Sequence, residues 1–330
     1  MGLSSVTAFG ALMIFRALLA SLGTSTGANV SGAEYSWQGY PTGADLDVVR
    51  SAGIDLLRLP FAWEKMQPIP GGDLDAGQVD AMTAVIDMAA ARGMQVIVDL
   101  HNYGRYDRNW CQRAAANFGY HAPGDGSPIG SPDLPQSLFA DFWSKLAARL
   151  AGHPGLLGYD IMNEPHDLGG TDVWPSAAQA AVDAIRAVDM NSLILVEGAQ
   201  WSGAEHWPEN NGSLSIKDPA DNFRYEAHVY FDRDGSGRYA RSYESEGAYP
   251  RVGVDRLQPF LAWLAAHHAK GFVGEFGVPE DDPRWLVVLE NFLAALDTAK
   301  LPGTYWKYTY GDAAVDAHGR CRSVGGNDPD

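Results

Sequence analysis

Cysteine and basic residues are scarce in this sequence, and both scarcities exclude classes of protein. Two cysteines, Cys111 and Cys321, occur in 330 residues, which is too few for a disulfide scaffold or a four-cysteine zinc site. These thiols can remain free or form one bridge. The 24 basic residues stand against 41 acidic ones, and the net charge is −17. We therefore expect neither nucleic acid nor a membrane as a partner.

Motifs for metals and nucleotides are also missing. The chain has no His-Glu-x-x-His zinc motif and no glycine-rich phosphate loop after a strand. Residues 232–237, DRDGSG, resemble the start of a calcium loop, but its twelfth position is Tyr243 and Glu244 comes one residue late. We interpret this stretch as a tight loop, with calcium as the lesser alternative, and expect no cofactor.

The apolar stretch at residues 8–22 is too short for a membrane span and is interrupted by Arg16. It also lacks the basic start and unbroken apolar centre of a signal peptide. Residues 1–27 are therefore predicted to be either a leader or a helix packed on the main domain, residues 28–330.

Strand-like and helix-like runs alternate along that main domain. Val79, Met82, Ile86 and Ala89 recur at helical spacing, for example. The predicted strands cover residues 28–34, 56–61, 95–101, 156–163, 192–198, 223–230, 271–276 and 303–308. Eight such units predict an α/β fold, a single-domain (β/α)8 TIM barrel. Residues 311–330 show no amphipathic pattern, so the final helix is expected to be missing or degraded.

Polar side chains follow or end six of the predicted strands. Each has an ordinary structural explanation when taken alone, such as a buried ion pair or a solvated loop carboxylate. Charged residues are rarely placed in apolar strands without partners, however, and the active site of a barrel lies at the carboxyl ends of its strands. The candidate site residues are Arg58, His101, Asn102, Asn163, Glu164, His228, Tyr230, Glu275 and Trp306.

Two glutamates among these candidates suggest a specific chemistry. Glu164 lies before the proline of YDIMNEP, and Glu275 lies in GFVGEFGVP. Cleavage of a glycosidic bond needs one carboxyl group to protonate the leaving oxygen and another to attack the sugar carbon. Arg58 and Tyr230 would keep Glu275 ionised, whereas the charge of Glu275 would raise the pKa of Glu164. A separation of about 5–5.5 Å is expected for this mechanism.

The remaining candidates would bind or orient the sugar. Asn163 could bond the sugar 2-hydroxyl, the two histidines could orient hydroxyl groups or the acid, and Trp306 could form the floor under the ring. Trp201 directly follows the fifth strand and is also predicted to contact sugar. Loop packing and sugar contact are equally compatible with Trp110, Trp174 and Trp207.

Eight of the candidates resemble, in their order along the chain, the functional residues of glycoside hydrolase family 5. They are Arg58, His101, Asn163, Glu164, His228, Tyr230, Glu275 and Trp306. The resemblance covers about residues 29–312. VDLHNYGRY, LVEGAQWSG and YEAHVYFDRDGSG are most similar to its endo-β-1,4-glucanase (cellulase) branch. The resemblance implies a retaining endoglucanase with Glu164 as acid/base and Glu275 as nucleophile. One departure is the tail KYTYGD after Trp306, which has Tyr308 and Tyr310 where this branch is rich in tryptophan.

Other functions stay open at this point. The same chemistry could act on mannan, mixed-linkage glucan or an exopolysaccharide, and a sugar could replace water in the second step. A non-catalytic glycan-binding barrel is the alternative from another class, although such a protein would normally have lost one glutamate. We expect a polysaccharide or oligosaccharide partner, secretion on grounds of function, and a monomer, although the sequence itself does not determine the oligomeric state.

Overall fold

A computed structural model of the chain describes residues 26–35, 38–110 and 125–310. The predictions for the N-terminal apolar stretch, the pairing of Cys111 with Cys321 and the missing final helix all lie outside these residues. Within the described ranges, no helix is both long enough and apolar enough to cross a membrane.

Eight parallel strands close into one barrel, which confirms the predicted fold. Each strand pairs with its neighbours in sequence, and the last strand pairs with the first. All eight coincide with predicted runs. The strands are β1 (Thr26–Ser31), β2 (Leu56–Phe61), β3 (Gln95–Leu100), β4 (Leu156–Asp160), β5 (Leu193–Glu197), β6 (Phe223–His228), β7 (Gly271–Phe276) and β8 (Gly303–Thr309).

Helices cover the outside of the barrel. The predicted helical spacing around Val79 lies in α3, whose apolar residues are buried against the strands. The connection from β5 to β6 has only a 3₁₀ turn and the four-residue α6. The helices are α1 (Gly43–Ser51), α2 (Trp63–Met66), α3 (Ala76–Ala90), α4 (Gln136–Leu150), α5 (Val173–Arg186), α6 (Trp207–Asn210), α7 (Val252–His267) and α8 (Arg284–Ala299).

Two layers of side chains fill the barrel interior. The lower layer is apolar and contains Leu56, Ile97, Leu195 and Phe272. Residues two positions further along a strand point to the same face, so Arg58, Asp99 and Glu197 form a charged layer directly above three of these residues. The barrel therefore presents charged groups just beneath the carboxyl ends of its strands.

Candidate active site

Arg58 is the centre of the charged layer and is fully buried. Its guanidinium nitrogens lie within ion-pair distance of one carboxylate from each of the next five strands. These are Asp99 on β3 at 3.0 Å, Asp160 on β4 at 2.7 Å, Glu197 on β5 at 3.0 Å, Glu226 on β6 at 3.4 Å and Glu275 on β7 at 3.0 Å. One cation thus connects six consecutive strands, and we call this set the Arg58 hub.

The Arg58 hub changes the acidity of its members. Burial alone would lower the pKa of Arg58, but the carboxylates outweigh burial and raise it well above its ordinary value. Burial also raises the pKa of Asp160 well above the usual range, and the neighbouring Glu226 raises it further. For Glu197, burial raises the pKa to about 7. Some hub carboxyl groups therefore hold a proton where a solvated carboxyl would have lost it.

The two glutamates of the predicted chemistry, Glu164 and the hub member Glu275, lie close together at the carboxyl end of the barrel. Glu164 follows β4 and Glu275 lies on β7. One oxygen of each and a ring nitrogen of His228 all lie within 4.8 Å of one another. The structure therefore brings together the two carboxyl groups that the sequence places 111 residues apart.

Glu275 has the surroundings of a carboxylate that stays ionised. Arg58 donates to its Oε1 at 3.0 Å, and the hydroxyl of Tyr230 donates to its Oε2 at 2.6 Å. Burial alone would raise the pKa of Glu275, but His228, Arg58 and His101 outweigh it and lower the pKa below the ordinary value.

Glu164 has different partners and an unusual backbone. Its φ is +43°, a conformation that residues other than glycine rarely adopt. The side chain Oε1 lies 2.7 Å from Nδ1 of His228, and the backbone N–H donates to Oε2 of Glu197 at 2.7 Å. Glu164 remains partly exposed to the cleft, so a substrate can reach it.

Asn163 is held with its amide nitrogen unused. Arg58 donates to its Oδ1 at 2.9 Å. The buried Nδ2 has no acceptor among the described residues. Asn163 therefore presents a buried amide donor, without an acceptor among the described residues, beside the Arg58 hub.

His101 and Trp306 stack on each other beside Asp99 of the Arg58 hub. Nδ1 of His101 lies 2.7 Å from Asp99, and its ring is stacked on Trp306 at a centroid distance of 5.3 Å and an angle of 7°. Burial would lower the pKa of His101, but Asp99 outweighs it and raises the pKa.

The pKa of His228 is raised in a similar way. Burial alone would lower it, but Glu197 and Glu275 outweigh burial and raise it well above the ordinary value.

Trp201 projects into a cleft of about 750 Å³ that also reaches Glu164 and His228. Its side chain is 48% exposed and is stacked on the ring of His166 at 3.5 Å. Gln200, Trp201 and Ser202 all have φ between 54° and 64°. The hydroxyl of Ser202 fixes this turn by accepting from Gly198 and donating to the carbonyl of Glu226.

Several other aromatic and amide side chains lie away from the cleft. Asn102 is buried, and its amide bonds the backbone of Trp63 and the carboxyl of Glu64, so it supports a loop. The three remaining tryptophans, two of which lie on α5 and α6, and the two tail tyrosines are buried. They are Trp110, Trp174, Trp207, Tyr308 and Tyr310.

The calcium-like stretch after β6 forms a closed loop. Oxygens of Asp232 accept hydrogen bonds from the hydroxyl of Ser236 and from the backbone of Gly237, Arg238 and Tyr239. The loop borders the cleft through Asp234 and Ser236. Its aspartate therefore shapes the loop from within, as expected for a tight loop beside the cleft.

Sequence reasoning missed four members of the Arg58 hub. Asp99, Asp160, Glu197 and Glu226 each interrupt an apolar strand, and this interruption was the available signal. Asp99, Asp160 and Glu226 lie two or three positions before the nearest candidate residue on the same run, and the polar end of β5 supplied no candidate beside Glu197.

A closed parallel barrel with two facing glutamates at its carboxyl end is the architecture of a barrel glycoside hydrolase. Comparison with known proteins gives the particular family. The family described as Cellulase (glycosyl hydrolase family 5) matches residues 21–312. The chain therefore belongs to glycosyl hydrolase family 5.

Individual relatives agree with this assignment. Endo-beta-1,4-glucanase B of Emericella nidulans is 30% identical over 259 residues, which cover 78% of this chain and 69% of the relative. Endoglucanase gh5-1 of Neurospora crassa is 32% identical over 240 residues, 72% of this chain. This chain spans only about half of the Neurospora protein, 54%. The endoglucanase Cel5A of Pseudomonas stutzeri, in complex with cellobiose, is 40% identical with a TM-score of 0.78 and covers 92% of this chain and 91% of that one.

Proposed function

We propose that this protein is an endo-β-1,4-glucanase that hydrolyses cellulose-like chains with retention of configuration. The observation that carries the proposal is the short distance between two carboxyl groups with opposite surroundings. Oxygens of Glu164 and Glu275 lie within 4.8 Å. Carboxyl groups about 5–5.5 Å apart are typical of retaining enzymes, whereas inverting enzymes need about 6.5–9.5 Å to admit a water.

The reaction follows from these positions in two steps. In the first, the carboxylate of Glu275 bonds to the anomeric carbon while Glu164 gives its proton to the leaving glycosidic oxygen. In the second, Glu164 removes a proton from water, whose oxygen then displaces Glu275 from the same carbon. Glu164 regains its proton and Glu275 its charge, so both groups return to their starting states.

Neighbouring residues would bind the sugar during these steps. The free Nδ2 of Asn163 is suited to the 2-hydroxyl of the reacting sugar, a contact that strengthens in the transition state. Trp306, stacked on His101, provides a flat apolar surface on one side of the glutamates. Trp201 provides an exposed one on the other side.

The choice of β-1,4-glucan is supported by the relatives. Two of them are named endoglucanases, and the Pseudomonas stutzeri endoglucanase is described with cellobiose, a β-1,4-linked glucose disaccharide. Because cellulose is a polymer outside the cell, we also propose that the protein is secreted. We further propose that it acts as a monomer. Cell fractionation and light scattering after gel filtration would test these two points.

Hydrolysis of a panel of polymers tests the proposal. Purified protein would be incubated with carboxymethylcellulose, mixed-linkage β-glucan, mannan and xylan, with the Glu275→Ala variant as the control. A rapid fall in the viscosity of carboxymethylcellulose, absent in the variant, is the expected result. Cleavage of mannan alone would show that the substrate is mannan rather than β-1,4-glucan. Binding without cleavage of any polymer would instead support a non-catalytic glycan-binding barrel.

A further inference from the structure

Glu197 contacts Glu164, the proposed acid/base residue, from the interior of the barrel. It ends β5 and is completely buried. The indole of Trp174 donates to its backbone carbonyl at 2.7 Å and so fixes the end of the strand. The two side-chain oxygens point towards different parts of the site, and neither reaches the cleft.

One oxygen of Glu197 holds the backbone of Glu164. The N–H of Glu164 donates to Oε2 at 2.7 Å. Glu164 has a φ of +43°, and such conformations persist only where the surroundings enforce them. This hydrogen bond is therefore one of the contacts that keeps the Glu164 side chain directed into the cleft.

The other oxygen of Glu197 faces the histidine that contacts Glu164. Nε2 of His228 lies 3.2 Å from Oε1 of Glu197 and 3.8 Å from Glu226. Both neighbours are carboxyl groups, whose charge favours a proton on Nε2, although neither contact has the geometry of a hydrogen bond. Nδ1 then lies 2.7 Å from Oε1 of Glu164, with a single proton between these two atoms.

We propose that Glu197 is a positioning residue that acts through Glu164 and His228. It anchors the backbone of Glu164 and, through its carboxyl group beside Nε2, holds His228 in the orientation in which Nδ1 shares a proton with Glu164. That shared proton is the one transferred to the leaving oxygen, and the attacking water replaces it in the second step. The inference rests on the proposed role of Glu164 as acid/base.

The leaving group of the substrate separates this role from a merely structural one. Dinitrophenolate leaves without protonation, whereas phenolate is a poor leaving group that needs an acid. We therefore compare kcat/KM for 2,4-dinitrophenyl and phenyl β-cellobioside, because this constant reports the first step. In Glu197→Gln we expect a loss of roughly 100-fold for the phenyl substrate, the scale of general-acid catalysis, and only a small loss for the dinitrophenyl substrate.

Asp160→Asn is the matched control. Asp160 is equally buried and contacts Arg58 at 2.7 Å, and its hydrogen bonds and ion pairs do not include Glu164 or His228. This variant should lower kcat/KM for both substrates in equal proportion. Equal losses in Glu197→Gln would overturn the proposal.

A Glu164→Gln variant keeps the two proposals distinguishable. If it loses activity selectively on the phenyl substrate but Glu197→Gln does not, the role of Glu197 is wrong and the function stands. If Glu164→Gln shows no selectivity, its role as the acid is wrong. Should Glu197→Gln fail to fold by circular dichroism, Glu197→Asp, which keeps the charge but shortens the reach, is measured instead. It should show a smaller selective loss, and equal losses would again contradict the proposal.

Discussion

At the scale of single residues, the two glutamates of the site differ in their hydrogen-bond partners. Glu275 accepts from a guanidinium and a phenol, which favour its ionised form. Among the described residues, the carboxyl group of Glu164 bonds His228, and it is partly open to the cleft. The proposed division of labour therefore depends on which donors surround each carboxyl group.

Tyr230→Phe tests the ionisation of Glu275. Its hydroxyl stabilises the charged form at 2.6 Å, so its removal should raise the pKa of Glu275. Because protonated Glu275 cannot attack, the acidic limb of the kcat/KM profile should move to higher pH by about one unit. Tyr305→Phe, whose hydroxyl bonds the carbonyl of Val278 instead, is the control. An unmoved acidic limb in Tyr230→Phe would contradict the assignment.

Trp201→Ala tests whether the exposed ring of Trp201 binds sugar. The ring offers an apolar face to sugar beside the glutamates, so its loss should raise KM for carboxymethylcellulose roughly two- to tenfold with little change in kcat. Tyr249, which is 45% exposed and lies outside the cleft lining, is replaced by Ala as the control. The prediction is wrong if both variants behave alike.

At the scale of elements, strands were predictable and loop side chains were not. Apolar runs of six residues between polar loops have few alternatives to a buried parallel strand. Trp201 lies in the turn directly after β5 and is exposed, whereas Trp110, in the long connection after β3, and Trp174, on α5, are buried. The difference comes from loop backbone conformation, including the positive φ of Trp201, which one sequence does not reveal.

Gly274→Ala tests the packing of β7 beneath its glutamate. A Cβ at this position would lie 1.6 Å from Oε1 of the buried Glu226, so the Glu226 side chain or the strand would have to shift. We expect a loss of about 1–3 kcal/mol in the free energy of unfolding and reduced kcat, because Glu275 is the next residue. Chemical denaturation and kinetics measure the two effects.

Gly212→Ala is the control for that experiment. Its added Cβ would meet a single carbonyl oxygen at 3.8 Å, an ordinary contact. Near-normal stability is expected there. Equal stability of the two variants would mean that β7 tolerates the displacement.

At the scale of the whole molecule, the most important charges were the hardest to predict. The sequence shows an excess of acidic residues but not which of them meet. Glu226 and Glu275 come together with Arg58 only because closing the barrel brings distant strands to one axis. Such contacts depend on register and barrel geometry, which apolar patterns do not specify.

Thermal stability should be greater at pH 5 than at pH 8. Glu64 and Glu197 have folded pKa values raised to about 7, chiefly by burial. Below about 4.3, the ordinary value for glutamate, both folded and unfolded states are protonated. Between that value and 7, the unfolded state loses its protons first, so the stability contributed by these groups falls as pH rises.

Scanning calorimetry at several pH values measures this effect. We expect the Tm to fall by several degrees between pH 5 and pH 8. Because the net charge of −17 also grows more repulsive at high pH, the scans are repeated in 0.5 M salt, which screens surface charges but not buried ones. A Tm that rises towards pH 8 would contradict the raised pKa values.

The Arg58 hub has a consequence for recombining such barrels. The strands β2 to β4 contribute Arg58, Asp99 and Asp160, whereas β5 to β7 contribute the other three carboxylates of the hub. A chimera that joins half of this barrel to half of a relative inherits an intact site only if the donated half supplies the complementary charge. Gene shuffling should therefore tolerate exchanged outer helices far more readily than a junction between β4 and β5.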